Sequence, residues 1–298
     1  MTWFPEPPED ESAHQGARVP LRYEDVSQDG RIKLVGVPPA LGAAVWRSRL
    51  AKHPLTQLGR NQGILPILSR MIIEVGAGPI SVRQDLEGEG WFELAHTEDA
   101  SGAPERILMN LWADLYGRRG KTHGPPPEGV GDRIRVGRVF AEHVMTRPFH
   151  PPGERRVQRL PGGTDIPEVP PVLCEWRPPQ RATEVPEGAR ALEEAPRPDT
   201  APFALGLGHT DSNQHVNSLV YPELFEQSAL RRFAALDRRT DVLPTYVELA
   251  YRKPCFAGQQ VRVVLRAFEK DGRLGAAGAF VPEGDLEGKP YCYANMWF

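Results

Sequence analysis

The 298-residue sequence has little cysteine. Cys174, Cys255 and Cys292 are an odd number with no CxxC pair, which disfavours both a disulfide framework and a structural zinc site. It also lacks a strongly basic balance: 36 Lys and Arg face 39 Asp and Glu for a net charge of −3, which argues against a general nucleic-acid binder. No apolar run approaches membrane-spanning length. The first residues, Met1-Thr2-Trp3-Phe4-Pro5-Glu6-Pro7-Pro8-Glu9-Asp10-Glu11, have neither the basic segment nor the apolar stretch of a signal peptide. These absences lead to the expectation of a soluble, reduced, cytoplasmic protein with no metal, no cofactor, and neither nucleic acid nor membrane as partner. Heavy use of Arg, Ala, Gly and Pro over Lys, Ile and Asn suggests a GC-rich bacterial genome.

What the sequence does have is a concentrated polar row ahead of an amphipathic helix. Asp211, Asn213, His215 and Asn217 recur at every second position, so in an extended segment all four would share one face. A carboxylate, an amide and an imidazole on one face can polarise a carbonyl, move a proton and activate water. Asn217 is also a good N-cap for the helix that follows.

The pattern Asp211-x-Asn213-x-His215-Val216-Asn217, followed by Tyr221 and Glu226, resembles the signature of the acyl-acyl-carrier-protein thioesterases, a hotdog-fold family. The resemblance is sharp over about residues 205–256. It implies an α+β chain of tandem (double) hotdog domains, each an antiparallel sheet wrapped around a central helix. It further implies hydrolysis of an acyl thioester of acyl-carrier protein or, second, of coenzyme A, in fatty-acid or polyketide metabolism. Asp211, Asn213 and His215 fall on the catalytic positions, with Asn217, Tyr221 and Cys255 as possible auxiliaries. One departure stands out: in Tyr251-Arg252-Lys253-Pro254-Cys255 a proline occupies the place of the family's Glu. Two rivals follow, a hotdog hydratase or dehydratase on an acyl thioester and a non-catalytic acyl-binding or interaction protein.

Taken in order, residues 1–18 read as a flexible, proline-rich tail. Residues 19–120 read as an N-terminal domain: a short strand at Val19–Val26, a helix from Pro38-Pro39 to His53-Pro54, and strands at Ile67–Val75, Ile80–Leu86, Trp91–His96 and Arg106–Tyr116. Residues 121–200 hold 15 of the 31 prolines and show faint periodicity, so they read as a linker or arm. Residues 201–298 repeat the order: Phe203–Leu207, a helix over Leu219–Leu236, then strands at Thr245–Lys253, Gln259–Glu269, Arg273–Val281 and Lys289–Phe298. Leu65-Pro66 is echoed by Leu243-Pro244, and Asn110-Leu111-Trp112 by Asn295-Met296-Trp297. Their shared order points to internal duplication, in a monomer with pseudo-dimeric halves or a homodimer.

Only the C-terminal half carries the polar row. The N-terminal half is therefore expected to supply pocket wall, with Val45, Trp46, Met71, Ile73, Met109, Leu111 and Trp112 as candidates. In the arm, arginines including Arg155 and Arg156 outnumber acids, and a basic surface there would steer an acidic carrier protein.

Overall fold

In the computed structural model, which describes residues 3–9, 15–121, 124–163 and 166–298, the chain divides into two units, Met1–Arg177 and Pro178–Phe298. Of the expected tail, residues 1, 2 and 10–14 lie outside the described residues.

The first unit rests on five antiparallel strands. These are β1 (Gln15–Val19), β2 (Leu65–Val75), β3 (Leu86–Glu98), β4 (Pro104–Arg118) and β5 (Arg133–Thr146), in the order β1-β3-β4-β5-β2. A two-residue strand, β6 (Val172–Leu173), adds to β3 in parallel. Alternation decides which side chains face the helical layer. Gly90, Ala113, Val139 and Ile73 lie across from one another, as do Phe92, Leu111, Ala141 and Met71. A Cβ at Gly90 would come within 2.7 Å of Val45 Cγ2 and 2.8 Å of Ala44 Cβ, so this glycine is what lets the helical segment press onto β3.

That segment is not the single helix expected from Pro38 to Pro54. It runs as α1 (Pro39–Leu41), a π-helical turn over Gly42–Arg47, a 3₁₀ turn over Leu50–Lys52, and α2 (Pro54–Gln62). The Ser48 hydroxyl donates to the Ala44 carbonyl at 2.6 Å, a back-bond that loosens helical regularity. Pro54 then has no N–H to carry a helix through and opens a new one at its first position.

The opposite face of the sheet is covered by residues 3–9 and the segment ending at Arg177. Trp112 Nε1–H donates to the Pro5 carbonyl at 2.9 Å. The Arg138 guanidinium lies 3.8 Å over Phe4, and that of Arg177 4.7 Å over Trp3. The expected flexible tail is therefore, in its described part, a strap held by aromatic rings and a carbonyl, and residues 15–18 belong to β1.

Two further expectations are corrected. Ile80–Leu86 is not a strand: Ile80 makes only an isolated bridge to Arg119, and the polar run Ser81-Val82-Arg83-Gln84-Asp85 forms a turn before β3. The fourth long strand is instead β5, inside the expected linker. Residues 121–200 are thus no domain boundary of their own; the division falls at 177 and 178. The arginines that made β5 look like a basic arm point outward from a strand and meet carboxylates. Arg133 bonds Glu87 and Glu89 at 2.7 and 2.6 Å, and Arg138 bonds Glu74 at 3.0 Å. Arg135 reaches Asp114 at 3.4 Å.

In the second unit, β7 (Arg190–Ala191), β8 (Arg197–Pro198) and β9 (Phe203–Ala204) line one edge of β11. The long strands β10 (Tyr246–Tyr251), β11 (Gln260–Lys270), β12 (Arg273–Pro282) and β13 (Cys292–Trp297) run antiparallel in the order β10-β13-β12-β11. Each unit therefore pairs its first long strand with its last.

The helix α3 (Val220–Ala235) buries Tyr221, Phe225, Ala229 and Phe233, a four-residue spacing that keeps them on one stripe. Tyr221 and Phe225 meet Phe280 at ring distances of 5.0 and 6.1 Å, and Phe233 meets Phe298 at 5.0 Å. Each such ring contributes about 1.5–3 kcal/mol by burial. Pro222 does not delay the helix, because it sits in the first turn, where N–H groups have no helical acceptor. A buried polar latch fixes the helix on its other side: Asp199 accepts from the Ser228 hydroxyl at 2.7 Å and from Arg231 Nε at 3.0 Å. Among the described residues no helix is long and apolar enough to cross a membrane.

Candidate functional site

The row Asp211–Asn217 is not extended. Asp211 N–H donates to the His215 carbonyl at 3.2 Å, and Gln214 N–H donates to the Asp211 carbonyl at 2.9 Å. Thr210 and Val216 form an antiparallel bridge across the turn. Gln214 takes a positive φ of 63°. Asp, Ser and Asn favour such turns because their short polar side chains bond the neighbouring backbone, and here Asp211 Oδ1 accepts from Asn213 N–H at 2.8 Å. The single-face alignment expected from alternate spacing is therefore replaced by a folded tip.

The turn brings some of the expected residues together and leaves others apart. Asn217 Nδ2 donates to Asp211 Oδ2 at 3.1 Å. Asn217 Oδ1 in turn accepts from Leu219 N–H at 2.8 Å, and its carbonyl accepts from Val220 N–H at 3.1 Å. One side chain thus ties the half-buried Asp211 carboxylate to Leu219, the residue just ahead of α3. Leu219 rather than the expected Asn217 holds the N-cap position, and no side chain caps the helix among the described residues, because Asn217 lies in the turn that precedes it. The Asn213 side chain is exposed. His215 is half-buried, with Nδ1 at 3.4 Å from the Val216 carbonyl. In the tautomer that protonates Nδ1, Nε2 is left as a free acceptor. Its ring makes no bond to the Asp211 carboxylate among the described residues, so the two side chains are not a hydrogen-bonded pair.

Of the auxiliaries, Tyr221 belongs to the core. Its ring is edge-on to Tyr251 at 5.7 Å and to Phe280, and burial pushes its hydroxyl well above the ordinary value. Cys255 is buried, and burial pushes its thiol up to about 11, against smaller opposing pulls from the Phe256 N–H and the Lys253 charge. A thiol held protonated at neutral pH is no nucleophile. Its carbonyl has a structural task, accepting from Val216 N–H at 2.7 Å. Pro254 is exposed beside it.

Two supports were missed by reading motifs. The Tyr251 hydroxyl donates to the Ser218 carbonyl at 3.1 Å, pinning the far end of the loop, as the Cys255 carbonyl pins its middle. The only signal for either was that both fall in the segment Tyr251–Cys255.

The expected wall residues are mostly core of the first unit. Val45, Met71, Ile73, Met109 and Leu111 are buried on the side of the sheet that faces the helical segment. Trp46 is half-buried and edge-on to His143, with ring centroids 5.6 Å apart. Trp112 is one residue out of phase with Leu111 and so faces the opposite side, under the Pro5 strap. Arg156 bonds Glu105 at 3.3 Å, and Arg155 Nε donates to the His150 carbonyl at 2.8 Å.

No protein-family model matches the sequence, and no curated protein matches it. Solved structures do resemble the fold. A protein from Lactobacillus plantarum described as an oleoyl thioesterase superposes with a TM-score of 0.58 at 14% identity, covering 95% of each chain. An acyl-ACP thioesterase from Bacteroides thetaiotaomicron gives 0.53 at 14% identity, over 97% of this chain and 99% of that one. The 12:0-ACP thioesterase from Umbellularia californica gives 0.51 at 14% identity, over 96% and 97%. At this identity the likeness concerns the fold.

Proposed function

We propose that the chain is an acyl-thioester hydrolase of tandem hotdog architecture, acting on acyl groups carried by acyl-carrier protein or, second, by coenzyme A, in a bacterial cytoplasm. The observation that carries this reading is the tie from the Asp211 carboxylate through Asn217 to the turn that leads into α3. The likeness in fold to three thioesterase structures supports it, and so does the common strand order of the two units.

In this reading the thioester carbonyl oxygen lies at the positive end of α3, where developing negative charge is stabilised. A water molecule held by Asp211 and Asn213 attacks the carbonyl carbon. His215 Nε2 takes the water proton and returns it to the departing sulfur, so the products are a carboxylate and a free thiol. A positioned base contributes about 10²–10⁴-fold and an oxyanion donor about 10²–10³-fold.

The test is a panel of acyl-carrier and acyl-CoA thioesters assayed for thiol release. Release of thiol supports the reading. A spectral change at an enoyl bond without thiol would instead identify a hydratase, and silence on every substrate would leave a binding protein.

A further inference from the structure

A groove in the first unit is lined by Arg83, Arg118, Arg119 and Lys121, with Val130 on its wall and no carboxylate among its lining residues. Its frame is fixed by backbone bonds. Ser81 N–H donates to the Arg118 carbonyl at 2.9 Å, Gly120 N–H to Pro79 at 3.0 Å, and Gly131 N–H to Arg119 at 2.9 Å. Gly120 is required for this closeness, since a Cβ there would lie 2.6 Å from the Ser81 backbone.

Most of the charges on this frame have no ion pair among the described residues, although Arg83 also lines a neighbouring hollow with Asp85, Glu87 and Glu89. Arg83 and Lys121 are exposed and make no ion pair among the described residues. Arg119 Nη1 donates to a neutral acceptor, the Gly78 carbonyl, at 3.3 Å. Among the described residues, Arg118 is the one of the four with a carboxylate partner, Glu87 at 3.3 Å. Of the seven arginines of residues 133–159, five (Arg133, Arg135, Arg138, Arg156 and Arg159) have a carboxylate within 3.7 Å, while Arg155 meets the His150 carbonyl.

We infer that this groove, rather than the Arg155–Arg156 segment, is the docking surface for an acidic carrier protein, a partner that rests on the thioesterase reading. Exposed cations on a fixed backbone frame attract an acidic surface and raise its encounter rate. Val130 is 57% exposed in their midst, an apolar contact of the kind a protein surface covers inside a polar rim. No aromatic side chain lines the groove to stack an adenine ring, so a protein surface fits it better than the nucleotide of coenzyme A.

The experiment titrates the full chain with an acyl-carrier protein whose acyl chain is joined by an amide in place of the thioester, so that binding is read without turnover. Arg83→Glu with Lys121→Glu is expected to weaken binding at least about tenfold, and Arg83→Gln with Lys121→Gln to fall between it and the unmodified protein. Arg155→Glu with Arg156→Glu is expected to stay within about twofold. Circular dichroism verifies that the variants fold. Unchanged affinity in both groove pairs overturns the inference, as does coenzyme A binding that depends on Arg83 and Lys121 while carrier binding does not. Hydrolysis of a small acyl thioester by the unmodified protein is measured in parallel. Groove-dependent carrier binding without that hydrolysis supports the docking surface while removing the catalytic reading.

Discussion

Asn217 Nδ2 donates to Asp211 Oδ2 across 3.1 Å while Asn217 Oδ1 holds the Leu219 N–H at 2.8 Å. The amide therefore has two separable tasks, orienting a carboxylate and bracing the turn that leads into α3. Asn217→Asp keeps the acceptor for Leu219 but removes the donor to Asp211 and adds a like charge. It is expected to lose turnover while keeping the bond to Leu219. Asn217→Ala loses both tasks and is expected to cost about 0.5–1.5 kcal/mol in denaturant unfolding as well, the usual size of a hydrogen bond. Equal stability loss in the two variants would contradict this division.

Cys255→Ala is expected to leave thiol release within about threefold, because a thiol raised to about 11 supplies almost no thiolate at neutral pH. The variant retains the Cys255 carbonyl that holds Val216. A loss of two orders of magnitude in turnover would make the thiol part of the chemistry.

His143 gives the stability a definite pH dependence. Burial pulls its imidazole down to about 4 from an ordinary value near 6.5, outweighing the opposing pull of the Met109 and Ala141 backbone. The unfolded chain therefore binds the proton more readily between these values. The stability conferred by keeping this ring neutral is fully present above pH 6.5 and is lost as pH falls toward 4. The loss is on the order of 3 kcal/mol. His143→Leu is expected to flatten that slope in denaturant titrations run from pH 7 to pH 4. An unchanged slope would show that other groups set it.

Asp199 is 3% exposed and holds both Ser228 and Arg231. Burial alone would raise its pKa, but the Arg231 and Ser228 hydrogen bonds outweigh it, and the net direction is down. Its contribution is therefore present above the unfolded carboxylate range and is lost in acid below it. Asp199→Ala leaves the guanidinium without its partner and is expected to cost about 3–5 kcal/mol, against about 1 kcal/mol for Ser228→Ala. Similar values for the two would mean that Arg231 finds another partner.

The second unit was legible because β11 alternates, its other long strands are largely apolar runs, and its turn residues are strong: Lys270-Asp271-Gly272 separates β11 from β12, with Asp271 and Gly272 at positive φ. In the first unit β5 was hidden because Arg133, Arg135 and Arg138 made a strand look like a charged arm; the carboxylates that meet them come from β2, β3 and β4, far away in sequence. The polar row was legible as a cluster, yet its shape was not. Alternate spacing implies one face only in an extended chain, and the Asp211 turn bonds decide otherwise. Trp3, Phe4 and Pro5 read as tail because their partners, Arg177, Arg138 and Trp112, are more than 100 residues away.

The central claim is that the Asp211–His215 turn hydrolyses a thioester, and single-turnover thiol release from an acyl-carrier substrate tests it most directly. Asp211→Asn and His215→Ala are each expected to fold normally and to lose at least about 10²-fold in rate, as for a positioned base and its partner. Wild-type rates in either folded variant would contradict the account.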